Sequence, residues 1–258
     1  MSTRLEAVFA KDRPAFVAYI MGGDPDREAS QRVMNALPAA GVDIIELGFP
    51  FTDPMADGPV IEDAGIRARK GGATLTSVLE MAATFREMDA DTPIILMGYA
   101  NPVYQMGYET FAQKAEESGV DGAIIVDLPP EEDGPLREAM EAKGQSLIRL
   151  ATPTTDEVRL PHVVSGSSGF VYYVSMTGVT GAALEQGGSV EDQVKRVQAA
   201  SGLPVVVGFG VKTPERAKEI ASVADGVVVG SAIVKTLYEE GEDAALNLVK
   251  SLADATHG

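Results

Sequence analysis

The chain has 258 residues, of which 45% are hydrophobic, and its 21 Lys and Arg against 38 Asp and Glu give a formal net charge of −17. Such an acidic surface repels nucleic acid and anionic lipid, so we expect neither as a partner. The absence of cysteine excludes disulfides, thiolate nucleophiles and Cys-ligated metals. No apolar run approaches the ~18 residues of a membrane span, and we expect a cytoplasmic protein.

Short apolar runs alternate with longer amphipathic segments along the chain. After a short N-terminal amphipathic helix, eight runs have the pattern of buried strands: 15–21, 43–47, 93–97, 122–126, 146–150, 169–174, 204–207 and 226–229. Between and after them, eight segments have helical periodicity: 26–39, 74–88, 108–118, 131–143, 155–163, 189–200, 213–222 and 242–255. This alternation predicts parallel strands joined by crossover helices.

Eight such repeats predict an α/β fold, a (β/α)8 TIM barrel with an extra N-terminal helix. We expect the barrel to form a single domain spanning 1–258. The rival architecture is a doubly wound open sheet, but no GxGxxG motif follows the first strand. Long loops are predicted after strand 2, from Gly48 to about Ala73, and after strand 6, from Ser175 to about Gly188. In a barrel, chemistry occurs where strands end and these loops begin.

Glu46 is a carboxylate inside the apolar second strand. Side chains alternate along a strand, so Ile44 and Glu46 share one face while Ile45 and Leu47 share the other. If the second pair packs on the helices, Glu46 points into the barrel near its mouth. Burial there raises the pKa of a carboxyl group toward the range useful for general acid/base catalysis. The alternative is a buried glutamate that only satisfies a structural partner.

Other polar residues are less specific by themselves. Asp57, in the sequence Asp-Gly-Pro, and Asp53, before Pro54, are typical of turns, with surface recognition as the functional option for Asp53. Of the two histidines, we expect His162 to be structural and His257, next to the chain end, to be frayed.

Glycines follow the last two strands. Gly208-Phe209-Gly210 and Gly230-Ser231 occupy the loops that commonly bind phosphate in this fold, and the second pair precedes a short helical stretch over 232–237. Turns also require glycine, so each one alone is weak evidence. The glycine-rich sixth loop, with Thr180, is predicted to be a closing lid or merely a flexible loop.

Several motifs together make the sequence similar to a known family. The strongest is ELGFPFTDPMADGP, from Glu46 to Pro59, and other matching blocks are GDP from Gly23, MGYANPVYQMG from Met97, DLPPEE from Asp127, YVSMTGVTG from Tyr173, GFGVKTPE from Gly208 and GSAIVK from Gly230. Over roughly Arg4 to Leu252, the chain resembles the α subunits of tryptophan synthase.

That resemblance implies retro-aldol cleavage of indole-3-glycerol phosphate to indole and glyceraldehyde 3-phosphate. It implies that Glu46 is the acid/base and that Asp57 binds the indole N–H. It also implies a set of substrate-binding residues: the backbone of Gly181, Gly210, Gly230 and Ser231 at the phosphate, the side chains of Tyr172, Phe209, Ile61, Met97 and Ile124 around the indole, Tyr19 and Tyr99 nearby, and Thr180 on the lid.

The resemblance further implies a partner. Asp53 and Pro54 would lie on the surface that meets a β subunit in an αββα heterotetramer, and pyridoxal phosphate would belong to that subunit, so no cofactor or metal is expected in this chain. Three other functions remain open: a stand-alone indole-releasing lyase, a sensor of a phosphorylated ligand, and a different phosphosugar enzyme such as an isomerase. The last would share the phosphate loops but not the motif from Glu46 to Pro59.

Overall fold

The computed structural model describes residues 3–175, 189–208 and 210–258. These residues contain nine strands, all paired in parallel. The strands are β1 (Ala15–Met21), β2 (Ile44–Gly48), β3 (Ile94–Gly98), β4 (Gly122–Ile125), β5 (Ser146–Leu147), β6 (Arg149–Ala151), β7 (Val171–Val174), β8 (Val205–Gly208) and β9 (Gly226–Val229).

The sheet is a nearly closed barrel, as the sequence predicts. Its strand order is β5-β4-β3-β2-β1-β9-β8-β7-β6, so its two ends are β5 and β6. These are two pieces of the predicted fifth strand, separated by Ile148 alone. The Ile148 N–H donates to the carbonyl of Ala123 on β4, at 2.9 Å, so the break does not open the barrel widely.

Helices surround the strands. Within the described residues they are α1 (Thr3–Phe9), α2 (Arg27–Ala36), α3 (Pro59–Lys70), α4 (Leu75–Arg86), α5 (Ala100–Met106), α6 (Tyr108–Glu117), α7 (Gly134–Glu141), α8 (Leu160–Val164), α9 (Val190–Ser201), α10 (Pro214–Ala221), α11 (Ser231–Glu240) and α12 (Glu242–His257). A 3₁₀ turn, Pro38–Ala40, follows α2. None of these helices is long and apolar enough to cross a membrane.

Strand alternation divides the core into two layers. Ile45 and Leu47 belong to the layer between the sheet and the helices, whereas Ile44 belongs to the layer inside the barrel. The predicted N-terminal helix, α1, contributes Leu5 and Val8 to this inner layer and so covers the barrel end at which the strands begin. The candidate site lies at the opposite end of the barrel, where the strands end.

Buried and half-buried aspartates tie neighbouring strands together where the strands begin. Asp43 accepts the N–H of Phe16, Asp121 that of Ile94, and Asp225 that of Val205, at 2.7–3.0 Å. Each carboxylate stands just before its own strand and binds the strand beside it. These bonds satisfy backbone donors that the parallel ladder leaves open.

One of these aspartates, Asp43, also holds the C-terminal helix. Asp43 accepts from Lys11, from both ends of the Arg13 guanidinium, and bonds His257 at 2.8 Å. The expectation that His257 is frayed is therefore wrong, because its ring is paired and only 22% exposed. These partners, together with the N–H of Phe16, outweigh burial and hold the pKa of Asp43 well below its ordinary value.

The prediction of one long loop after strand 2 is also wrong in part, because its second half forms α3, a helix of 12 residues. Pro59 stands in its first turn and three basic residues in its last, a pattern that favours a helix. The buried face is made of small residues, Ala64, Gly65 and Ala68. Such residues are only weakly hydrophobic, so the helical periodicity of the sequence is weak here. The predicted sixth loop lies, apart from Ser175, outside the described residues.

Candidate active site at the carboxyl ends of the strands

Glu46 is the central residue of β2, and its side chain lies inside the barrel. It stands between Tyr19 of β1 and Ile95 of β3 in the sheet register. Its residue surface is 1% exposed, and its Oε2 atom has no hydrogen-bond partner among the described residues. Burial raises the pKa of this carboxyl group from 4.5 to about 8. The proton is therefore held at neutral pH and can be released without a large change in free energy.

Two buried tyrosines flank Glu46, and each requires a glycine opposite. A Cβ at Gly48 would overlap the hydroxyl of Tyr19, and a Cβ at Gly208 would overlap the hydroxyl of Tyr172. Burial, with the nearby charge of Glu46, raises the pKa of both tyrosines well above 10. Both hydroxyls are therefore neutral and can act as hydrogen-bond donors or acceptors in the barrel mouth.

Asp57 is half-buried on the loop between β2 and α3. Its N–H donates to the carbonyl of Pro54 at 3.1 Å, which is turn geometry. Burial raises the pKa of Asp57, a hydrogen bond from the Tyr99 hydroxyl lowers it, and the charge of Glu62 raises it again. Asp57 therefore lies near Tyr99 and Glu62 and is not a free surface carboxylate.

Tyr99 fastens the whole loop to the barrel. Its hydroxyl accepts the N–H of Ala56 at 3.1 Å, and its ring stacks on Phe51 with centroids 5.3 Å apart. Both contacts reach the loop from the end of β3. The loop that carries Asp57 is therefore held on two sides, ahead of and behind its Pro54 turn.

The predicted apolar residues form a continuous surface. Tyr172 and Ile124 belong to the inner barrel layer, while Tyr19 and Ile61 belong to a second cluster at the mouth with Ala64, Ala68 and Val234. Met97 is partly buried and packs against both. An apolar wall thus runs from inside the barrel, past Glu46, to the first turn of α3.

Gly230 and Ser231 lie where a phosphate site is predicted. Ser231 begins α11, whose cap residue Gly230 has no side chain that could cap the helix. The first N–H groups of any α-helix have no partner within the helix. Gly230 also lies close to Tyr19, since a Cβ there would be 3.2 Å from the Tyr19 Cβ. Gly210 is exposed with a φ of 82°, which favours glycine. Three predicted residues, Thr180, Gly181 and Phe209, lie outside the described residues.

A cavity that the sequence does not predict lies at the same end of the barrel. It has a volume of about 510 Å³, lies at the ends of β4 and β6, and is lined by residues that include Asp127, Asp133 and Arg149 but neither Glu46 nor Asp57. Arg149 pairs with Asp133 at 2.6 Å and donates to the carbonyl of Val163. These charged groups are therefore engaged in holding the wall of the cavity.

The geometry agrees with the similarities of the chain to known proteins. A model of the family described as tryptophan synthase alpha chain matches residues 5–257. The tryptophan synthase alpha chain of Caulobacter sp. (strain K31) is 58% identical over 231 residues, which are 90% of this chain and 84% of that one. That of Phenylobacterium zucineum is 56% identical over 262 residues, covering 98% and 95%.

Solved structures agree as well. The tryptophan synthase subunit alpha of Legionella pneumophila superposes with a TM-score of 0.90 at 39% identity, covering 99% of each chain. The chain belongs to the tryptophan synthase alpha chain family, whose members are lyases that cleave indole-3-glycerol phosphate.

Proposed function

We propose that Glu46 is the general acid and base for cleavage of indole-3-glycerol phosphate in this chain. One observation carries the assignment: a carboxyl group that is 1% exposed, with a pKa raised to about 8, stands inside the barrel beside an apolar wall. A purely structural glutamate in this position would be expected to have both oxygens paired, and Oε2 has no partner among the described residues.

In the proposed reaction, protonated Glu46 donates its proton to C3 of the indole ring. The resulting carboxylate then takes the proton of the side-chain hydroxyl on the adjacent carbon. The C–C bond breaks as that oxygen becomes the aldehyde of glyceraldehyde 3-phosphate, and its electron pair returns to the ring to give indole. One proton enters and one leaves, so Glu46 ends protonated as it began.

Asp57 is proposed to accept the indole N–H and to stabilise the positive charge that develops on the ring. The hydrogen bond between the Ala56 N–H and the Tyr99 hydroxyl supports this role, because it holds the loop next to Asp57 in place. A charge held in place before the reaction stabilises a transition state without reorganisation of the site.

The remaining predicted residues would bind the two ends of the substrate. Tyr172, Ile124, Met97, Ile61, Phe209 and Tyr19 would line the indole slot, and the backbone of Gly181, Gly210, Gly230 and Ser231 would bind the phosphate, with Thr180 on the lid. The start of α11, which has no side-chain cap at Gly230, supports the phosphate site, because a helix N-terminus attracts anions.

A β subunit is the proposed partner. Solved tryptophan synthase structures from M. tuberculosis match this chain at 36% identity with a TM-score of 0.89, and such complexes imply a β subunit beside the alpha chain. We propose that Asp53 and Pro54 contact it in an αββα assembly, supported by the exposure of Asp53 on the loop that carries Asp57. We also propose that residues 1–258 form one domain and that pyridoxal phosphate belongs to the β subunit alone.

The acid/base assignment is tested with Glu46→Gln. We expect indole release to be abolished while the affinity for substrate stays within a few-fold of the wild-type value. The variant loses the proton carrier, but the proposed indole slot keeps its shape. Glu138→Gln, which changes an exposed glutamate on α7, is the control and should leave indole release unchanged. Near-normal turnover by Glu46→Gln would contradict the proposal.

A second measurement separates the alternatives. Indole release by the wild-type chain is measured with and without a β subunit. A rate that rises on adding the β subunit supports the partner, whereas an unchanged rate supports a stand-alone lyase. Binding of the phosphorylated substrate without any release, in both conditions, would support a sensor.

A further inference from the structure

Three residues from distant parts of the chain meet beside the proposed site. Arg67 of α3 donates from Nε to Asp24 Oδ1 at 2.7 Å and from a terminal nitrogen to Asp24 Oδ2 at 3.0 Å. Its guanidinium carbon also lies 3.8 Å from the centroid of the Tyr238 ring on α11. Asp24 follows β1 and is 2% exposed. One side chain therefore joins the loop after β1, α3 and α11.

The three elements are packed closely enough for this contact to fix their spacing. Ala64 and Ala68 of α3 pack in the same cluster as Val234 of α11, and their small side chains allow the helices to approach. A Cβ at Gly23 would lie 2.7 Å from the Cβ of Ala73, so the loop after β1 is equally close to the end of α3. Arg67 lies at the edge of this contact, with 21% of its side chain exposed.

Each helix begins at one end of the proposed substrate. α3 begins at Pro59, two residues after Asp57, and α11 begins at Ser231. We propose that Arg67 is a positioning residue that sets the distance between the carboxylate of Asp57 and the phosphate-binding start of α11. This inference rests on the proposed function, because it uses the indole and phosphate ends assigned there.

The physical reason lies in the shape of the arginine side chain. A planar guanidinium can make two parallel bonds to one carboxylate while its face stacks on an aromatic ring, whereas a lysine ammonium does not provide that fork. The pair with Asp24 and the stack on Tyr238 therefore restrict Arg67 in two directions. A catalytic group displaced by ~1 Å can lower a rate by about 10²-fold, so small changes in helix spacing matter.

The fold offers a matched control at the other end of the barrel. Arg86 of α4 bonds the buried Asp121 at 3.3 Å, and its side chain is 13% exposed. Asp121 and Asp24 have the same side-chain exposure, 1%. Arg86→Lys should therefore cost stability much as Arg67→Lys does, without changing the spacing of the site.

The test uses three ligands: indole, glycerol 3-phosphate, and the substrate analogue that lacks both side-chain hydroxyls. The analogue cannot be cleaved, because it has no hydroxyl to deprotonate. The analogue should bind the wild-type chain more tightly than either fragment does. Once one end of the analogue is bound, its other end is already held close to its own binding site. Affinities are measured by calorimetry for the wild type, Arg67→Lys, Tyr238→Leu, Tyr238→Phe and Arg86→Lys.

We expect Arg67→Lys and Tyr238→Leu to bind the joined analogue about tenfold more weakly while each fragment binds within about twofold of wild type. Tyr238→Phe keeps the ring and should match the wild type. Because Tyr238 is 55% exposed, Tyr238→Leu folds even if Arg67→Lys does not. Equal weakening of fragments and analogue, no weakening at all, or the same pattern in Arg86→Lys would overturn the inference.

The wild-type measurements separate this inference from the function on which it rests. If the wild-type chain binds the joined analogue no better than the fragments, the proposed function fails and the positioning role fails with it. If the wild type binds the analogue tightly and both variants do the same, the positioning role alone fails.

Discussion

Replacing Glu46 with Gln should change how the stability of the protein depends on pH. The folded state raises the pKa of Glu46 from 4.5 to about 8 through burial. Below pH 4.5 the group is protonated in both the folded and unfolded states and contributes nothing. As pH rises from there, the unfolded chain ionises while the folded chain keeps its proton, so the folded wild type loses stability until pH passes about 8.

The size of this loss follows from the two pKa values. One pH unit corresponds to about 1.4 kcal/mol, so the displacement from 4.5 to about 8 gives a ceiling of about 5 kcal/mol. Between pH 5 and pH 9, most of this, about 4 kcal/mol, should appear. Glu46→Gln cannot ionise and should not show the loss, and any effect of its buried amide on stability is the same at every pH.

The assay is urea unfolding of wild type and Glu46→Gln at pH 5, 7 and 9, followed by circular dichroism. The free energy of unfolding of the variant, minus that of the wild type, should rise with pH. Glu138→Gln, at an exposed helix position, controls for the loss of one carboxylate and should show no such rise. A difference that stays constant over this range would refute the buried, proton-holding state of Glu46.

Three further predictions concern activity. The kcat/KM for indole release should fall as pH rises above about 8, because the proposed acid form of Glu46 is then lost; a profile that is flat to pH 10 would contradict this. Asp57→Asn should lower kcat/KM, measured by steady-state kinetics, by an amount that corresponds to a loss of ~2–4 kcal/mol of transition-state stabilisation. An unchanged kcat/KM would remove Asp57 from the mechanism. Gly208→Ala should displace the Tyr172 ring into the indole slot and weaken indole binding by about tenfold or more, whereas wild-type affinity would show that the ring has room to move.

Periodicity in the sequence was enough to predict the barrel and the direction of its key side chains. Two-residue alternation correctly directs Glu46 inward and Leu47 outward. These outcomes depend only on the strand repeat and on one face being covered by helices. The motif from Glu46 to Pro59 likewise pointed to the family before any contact was known.

Other features depend on contacts that periodicity does not contain. The sequence pattern predicts a loop where the helix Pro59–Lys70 stands, because the buried face of Ala and Gly has weak apolar periodicity and is stabilised by packing against α11. The pairing of His257 with Asp43 likewise spans almost the whole chain.

The residue pattern alone specifies the strand and helix alternation, the inward position of Glu46 and the family. The burial of Glu46, the hydrogen bond of Tyr99 to the loop that carries Asp57, and the contacts of Arg67 with Asp24 and Tyr238 are visible only in the folded chain. Alternation is a local property of one strand. A pKa, a hydrogen bond or a stacked ring instead depends on which distant segments the closed barrel brings within a few ångströms.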